Sequence, residues 1–277
     1  MRFQGVQLLQ ACARPRTWPA RCAILPAVSN PDAPRWLDAG DMAFTVEFGP
    51  AITPAALHAV GALDAAIANA MAAGALPGVV ETMPTFRSLT VFYDPLATSR
   101  AVLQPVVQAL LDSADGALAA PVQHWRLPIC YEGDCGPDLA DTAAAAGLQV
   151  DDVVALHSAT RLQVYMLGFL PGFPFMGDLP VALQRPRRTQ PRVRVPAGSV
   201  SVANQLCAIY PWESPGGWHL LGRCPVPLFD ARRPVPALLA PGDRVQFQPV
   251  PWAEFQRLQA AAQGGDIDPA TWREAGR

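Results

Sequence analysis

From Arg161 to Val250 the chain is a series of short apolar runs broken by Gly and Pro. Glycine weakens a helix interior by roughly 1 kcal/mol and proline by roughly 3 kcal/mol, so no long helix fits there. Short runs with frequent turn residues are what an all-β barrel or sandwich needs, its strands joined by structured loops. Ahead of this region, Val122 to Ile129 reads as a strand. Asp138 to Ala146 reads as a short Ala-rich helix ended by Gly147, and Asp151 to Ser158 as another. Trp252, Phe255 and Leu258 are spaced for one last helical turn, and Gln263 to Arg277 reads as a loose tail.

The preceding segment has a different texture. Met42 to Phe48 alternates as a half-buried strand does. Thr53 and Pro54 then open a helix, because a threonine hydroxyl caps free amides and proline tolerates the first helical position. Leu57, Val60, Leu63, Ile67 and Met71 recur every three or four residues, giving that helix one apolar face, and Gly74 stops it. Strand-like runs follow at Val79 to Met83 and Leu89 to Tyr93. A second helix covers Arg100 to Asp112, where Pro105 points to a start nearer Leu103. The unit reads β-α-β-β-α. Small and polar residues from Ser113 to Ala120 read as a linker, with a boundary near Pro121. The expected organisation is an α+β N-terminal domain over residues 35–120 and a mainly-β domain over 121–250, with an extension over 1–34 and a tail over 251–277.

Composition narrows the chemistry. All 21 basic residues are arginine, so lysine-dependent Schiff-base, Walker-loop and serine/lysine mechanisms are excluded. A formal charge of -2 argues against a nucleic-acid partner, which needs a surplus of cations on one face. The cysteines at 12, 22, 130, 135, 207 and 224 form no C-x-x-C pair and sit at no metal-ligand spacing with histidine. No metal site is expected, and free thiols suit a reducing cytoplasm. Residues 1–31 hold no acidic side chain but include Arg2, Arg14, Arg16 and Arg21, a transit-peptide-like composition. They read as a disordered extension or as the product of a start placed too far upstream. No stretch is expected to reach the ~18 apolar residues of a membrane span.

Candidate chemistry concentrates between Tyr165 and Asp230. Gly168-Phe-Leu-Pro-Gly-Phe-Pro-Phe175 makes a stiff loop whose Phe169, Phe173 and Phe175 either wall a pocket or anchor a barrel crossover. Pro186 to Ser199 places Arg187, Arg188, Arg192 and Arg194 beside a Gly198-Ser199 turn. Guanidinium forks suit a carboxylate or phosphate, and a solvated, charge-protected edge strand would look the same. On a strand, Arg192 and Arg194 share a face. Ser214-Pro-Gly-Gly217 is a rigid turn with amides able to meet an oxyanion, but it lacks the G-x-S-x-G elbow of a serine nucleophile. His219 and His157 read as satisfied structural histidines ahead of general bases.

Together these clusters resemble the family of the 5-oxoprolinase B-type subunit, KipI and allophanate hydrolase subunit 1. Its pattern GFxPGF, PRxxxPRxxVPAGSV, IYPxxSPGGWxxxGRxPxxLFD and PGDxVxF stands here as Gly168 to Phe173, Pro186 to Val200, Ile209 to Asp230 and Pro241 to Phe247. Tyr131 to Leu139, Gly40-Asp41 and Pro84 to Asp94 match as well. The chain departs from the common VGIAGxQTGIYP at Val200-Ser-Val-Ala-Asn-Gln-Leu-Cys-Ala-Ile-Tyr-Pro211, and carries Cys224 where a threonine is common.

The resemblance implies a cyclophilin-like β-barrel after the small α/β domain, and a cytoplasmic subunit acting with subunit-C-type and subunit-A-type chains. It implies ATP, with magnesium shared with or bound by the partner, spent in hydrolysing 5-oxoproline to glutamate. The barrel pocket is then expected to use Tyr165, Phe169, Arg187, Arg192, Gly198 and Ser199 from its first part. Tyr210, Ser214, Gly216, Gly217, Trp218 and Arg223 complete it. The rival readings are a KipI-type inhibitor of a sensor histidine kinase and a subunit of an allophanate-type amidase.

Overall fold

A computed structural model describes residues 33–113, 122–265 and 268–274. The expected N-terminal extension up to residue 32, Cys12 and Cys22, and the linker with its boundary near Pro121 lie outside the described residues.

The first unit is an antiparallel sheet ordered β1-β2-β4-β3. Its strands are β1 (Arg35–Asp38), β2 (Ala43–Glu47), β3 (Val79–Pro84) and β4 (Ser88–Tyr93). Two helices, α1 (Pro54–Ala72) and α2 (Arg100–Ser113), share its core. The Thr53 hydroxyl accepts from the Ala56 amide at 3.1 Å, and Leu57, Val60, Leu63 and Ile67 are buried, as the periodicity predicts. Strand β1 is an addition to the expected order, paired to β2 from Arg35 against Glu47. Helix α2 begins at Arg100 and not near Leu103, keeping Pro105 inside it. The Ser99 carbonyl takes the Val102 and Leu103 amides, so the first turn forms ahead of the proline.

Helix α1 also corrects the expectation that no segment reaches membrane-span length. It is 19 residues long with a mean hydropathy of 1.3. Its large apolar side chains form the stripe laid on the sheet, and alanines fill much of the remainder.

The second unit is a nearly closed, barrel-like mixed sheet of 7 strands ordered β12-β9-β10-β7-β6-β13-β5. These are β5 (His124–Ile129), β6 (Leu162–Leu167), β7 (Pro174–Gly177), β9 (Ser199–Ala203), β10 (Leu206–Ile209), β12 (His219–Arg223) and β13 (Arg244–Pro249). β13 runs parallel to β5, and the other pairs are antiparallel. The end strands meet where Cys130 and Arg223 exchange amide hydrogen bonds of 2.9 and 2.8 Å, which leaves little free edge. Leu127, Ile129, Val164, Val200, Val202, Ile209, Leu221 and Val245 fill one continuous core.

Helices α3 (Leu139–Ala146) and α4 (Val150–Ala159) pack against this barrel, and β8 (Arg192–Val195) pairs with β11 (Ser214–Gly216) as a separate ribbon. The expected final turn is a full helix, α5 (Trp252–Gly264), seated through Phe255 and Leu258. The described part of the tail is not loose. Its Glu274 amide bonds the His124 carbonyl at 2.7 Å, extending the edge at β5.

One aromatic side chain links the units. Phe86, in the turn between β3 and β4, sits edge-on to Tyr165 at 6.3 Å and to Phe175 at 5.7 Å between centroids.

Candidate functional site

The ribbon β8–β11 places Arg192 opposite Gly216. A side chain at Gly216 would overlap the Tyr210 phenol, so its absence is what lets the ring lie under the ribbon. Tyr210 packs edge-on to Phe173 at 5.0 Å, and Phe175 packs edge-on to Trp218 at 5.9 Å. These rings, with Val195 and Leu220, form a cluster distinct from the barrel interior. The stiff Gly/Pro loop contributes Phe173 and Phe175 to this aromatic cluster. Phe169 of the same loop is turned out at φ 67° and 67% exposed, and meets Phe173 edge-on at 5.5 Å between centroids.

Over this floor stand the guanidiniums. Arg187 lies 5.8 Å above the centroid of Trp218. Arg192 donates through Nη2 to Asp138 Oδ1 at 2.7 Å, and Arg188 donates through Nη1 to the same oxygen at 2.9 Å. The other carboxylate oxygen accepts the Leu220 amide at 2.7 Å. Burial alone would raise the Asp138 carboxyl, but the Arg192 hydrogen bond, the Leu220 amide and the two positive charges outweigh it and hold it below the usual range. Burial raises the Tyr210 phenol, while Arg187 and then Arg192 pull it back, which places both cations within electrical reach of that hydroxyl.

The charges do not cancel. One carboxylate faces Arg188 and Arg192, and among the described residues no carboxylate lies within ion-pair distance of Arg187. Arg192 Nη1 is buried with no hydrogen-bond partner. An orphaned buried donor costs on the order of 1–3 kcal/mol, more when charged, so an incoming anion is stabilised by removing that cost. His219 donates from Nε2 to the Pro186 carbonyl at 2.9 Å, which leaves Nδ1 as a bare, buried acceptor. Burial and neighbouring arginines favour its neutral form.

Several expected members lie elsewhere. Gly198, at φ 80°, presses against the Cys224 carbonyl, and its amide is spent on the Tyr210 carbonyl at 2.7 Å. Ser199 is buried in the ladder between β10 and β12. The Ser199 amide bonds the Pro196 carbonyl at 3.2 Å, so both main-chain donors of the turn are already used. Arg223 leaves from the far end of β12, donating to the Ala197 carbonyl at 2.9 Å and covering Phe255 of α5. Arg194 does not act with Arg192. It makes a bidentate pair with Glu213 at 2.9 Å in solvent. Ser214 is a ribbon residue, and the Gly217 carbonyl accepts the Arg188 amide at 2.8 Å, so this turn is tied to the ribbon and to the Arg188 segment.

Tyr165 donates to Asp178 Oδ1 at 2.9 Å, while Arg244 holds Asp178 Oδ2 at 3.0 Å. Burial, then Asp178, pushes its phenol up to about 12. It borders a largely apolar cleft of about 530 Å³ between α1 and the barrel, away from Arg192. Asp138 is the member of this arginine cluster that spacing did not reveal. The signal was present in the matched segment from Tyr131 to Leu139, but its partners are 50, 54 and 82 residues away.

With barrel, ribbon and arginine cluster described, residues 34–239 match the family described as carboxyltransferase domain, subdomain C and D, which sets the class of the chain. The chain belongs to that family, in the branch of the 5-oxoprolinase B-type subunits. It is 37% identical to the B-type subunit of 5-oxoprolinase from Escherichia coli O157:H7, covering 76% of this chain and 93% of that protein. The crystal structure of TTHA0988 superposes with a TM-score of 0.66 at 37% identity over 75% of this chain, which spans 40% of the TTHA0988 chain. The urea amidolyase of Kluyveromyces lactis shares the fold, with a TM-score of 0.69 at 20% identity over 89% of this chain and 17% of its own.

Proposed function

We propose that the chain is the B-type subunit of an ATP-dependent 5-oxoprolinase. The reaction converts 5-oxo-L-proline, ATP and water to L-glutamate, ADP and phosphate, together with subunit-C-type and subunit-A-type partners in the cytoplasm. The supporting observation is the unpaired, buried Arg192 Nη1 beside Arg187, Tyr210 and Trp218. Two guanidiniums over an aromatic floor suit a small ring bearing an anionic group, whether the substrate carboxylate or a phosphorylated ring oxygen. Arg187 is exposed, so the cluster opens to solvent on that side, where a partner chain would complete it.

This reading includes a division into an α/β domain over 35–120 and a cyclophilin-like barrel domain over 121–250. Asp138 is committed to arginines and Asp178 to Tyr165 and Arg244, so neither fits as a magnesium ligand. We therefore assign the nucleotide and its magnesium to the partner. The chain's own part is to bind and orient the anion and to keep a neutral His219 nearby.

The test is glutamate release from 5-oxoproline and ATP by the co-expressed subunits. Arg192→Ala is expected to raise KM at least tenfold. Turnover and KM equal to wild type would remove the cluster from the site.

A further inference from the structure

The structure assigns to Asp138 the part of positioning residue for the anion site, a role that rests on the reading of Arg192 as the anion's ligand. Its carboxylate is the junction of three segments distant in sequence. One oxygen gathers Arg188 and Arg192, and the other takes the Leu220 amide of β12. The residue's own backbone is also held, since its amide bonds the Leu220 carbonyl at 3.1 Å and its carbonyl takes the Thr142 amide at 2.9 Å and hydroxyl at 2.7 Å. Asp138 is therefore fixed to both α3 and β12, at 2% exposure.

The approach is made possible by Gly136. A Cβ there would overlap the Leu221 carbonyl oxygen, so only glycine lets the segment lie flat on β12 and reach Leu220 twice. Arg192, on a two-stranded ribbon outside the barrel, gets its fixed position from this carboxylate. With Nη2 held, Nη1 is left as the unpaired donor. An unheld arginine side chain otherwise carries rotamer entropy that a ligand would have to overcome.

An asparagine cannot substitute. Its single carbonyl oxygen can face the arginines or the Leu220 amide, and in either setting its NH2 group confronts a donor on the other side. Glutamate keeps the charge and both acceptors, displaced by one methylene.

The experiment compares Asp138→Asn, Asp138→Glu, Arg192→Ala and the Asp138→Asn/Arg192→Ala double variant, each in the full chain assembled with its partners. KM for 5-oxoproline and kcat are measured, and thermal melting checks folding. Asp138→Asn is expected to raise KM about tenfold with kcat within threefold of wild type, and Asp138→Glu to recover part of that loss. The double variant should be no worse than Arg192→Ala alone, because Asp138 acts through Arg192. Losses that multiply in the double variant, or a wild-type KM for Asp138→Asn beside an impaired Arg192→Ala, overturn the positioning role and leave the anion site standing. A wild-type Arg192→Ala overturns the site itself. If Asp138→Asn does not fold, Asp138→Glu decides: a KM equal to that of Arg192→Ala, with no further loss when the two are combined, supports the role, and multiplying losses overturn it.

Discussion

The guanidinium carbon of Arg187 lies 5.8 Å from the centroid of the Trp218 ring, and Phe175 packs edge-on to the same indole at 5.9 Å. Trp218 is buried and Arg187 is exposed, and a cation–π contact made by a solvated cation gains about 0.5–1 kcal/mol, enough to bias a flexible side chain but not to lock it. Trp218→Ala frees Arg187 and opens the floor, and is expected to raise KM for 5-oxoproline five- to twentyfold. Trp218→Phe keeps a face and should stay within threefold. Steady-state kinetics on the assembled complex separate the two, and equal effects of both variants would show that the face is not what matters.

Arg223 is held in the fold by the Ala197 carbonyl and by its contact with Phe255 of α5. Replacing it with alanine removes a hydrogen bond to Ala197 and the cover over Phe255, a loss of about 1–2 kcal/mol. Melting should fall by a few degrees and α5 should become more sensitive to protease, while KM stays within twofold of wild type.

Gly198→Ala tests the other displaced candidate. The added Cβ meets the Cys224 carbonyl at a backbone φ of 80°, a conformation that penalises any side chain. Destabilisation of about 2–4 kcal/mol is expected in chemical denaturation, with unchanged substrate affinity in the fraction that remains folded.

His157 supplies a pH dependence. It is fully buried, stacks on Phe247 at 5.0 Å between centroids, and meets the Tyr131 hydroxyl at 2.6 Å through Nδ1. Burial lowers its pKa from 6.5 to about 4, so the folded chain keeps it neutral where the unfolded chain protonates it. The unfolded state then binds the extra proton, and stability is fully present above about pH 6.5 and lost as pH falls towards 4, by up to about 3 kcal/mol. His157→Gln should be less stable at pH 7 and should flatten that slope, as read from denaturant midpoints between pH 7 and 4.5. An unchanged slope would assign the effect to other groups, His219 first.

Local rules carried much of the first unit. The spacing from Leu57 to Ile67 and the Thr53-Pro54 start fixed the face and the beginning of α1 without reference to anything distant. They could not show β1, because a four-residue edge strand is specified by its partner β2 more than by its own residues. The order in the tail escapes a sequence reading for a related reason. Its backbone pairing with His124 has no periodicity to betray it.

For the candidate site, residue types and short spacing pick out the Arg-rich ribbon, the aromatic loop and the Gly-rich turn, because guanidinium forks suit anions and Gly and Pro stiffen loops wherever they occur. Which of those groups meet was decided by the closing of the barrel. That closure spent Gly198 and Ser199 on strand pairing, carried Arg223 to α5, and brought Asp138 under Arg192 from 54 residues away. A hydrogen bond depends on distances of about 3 Å, and only the packed chain sets those for residues so far apart in order.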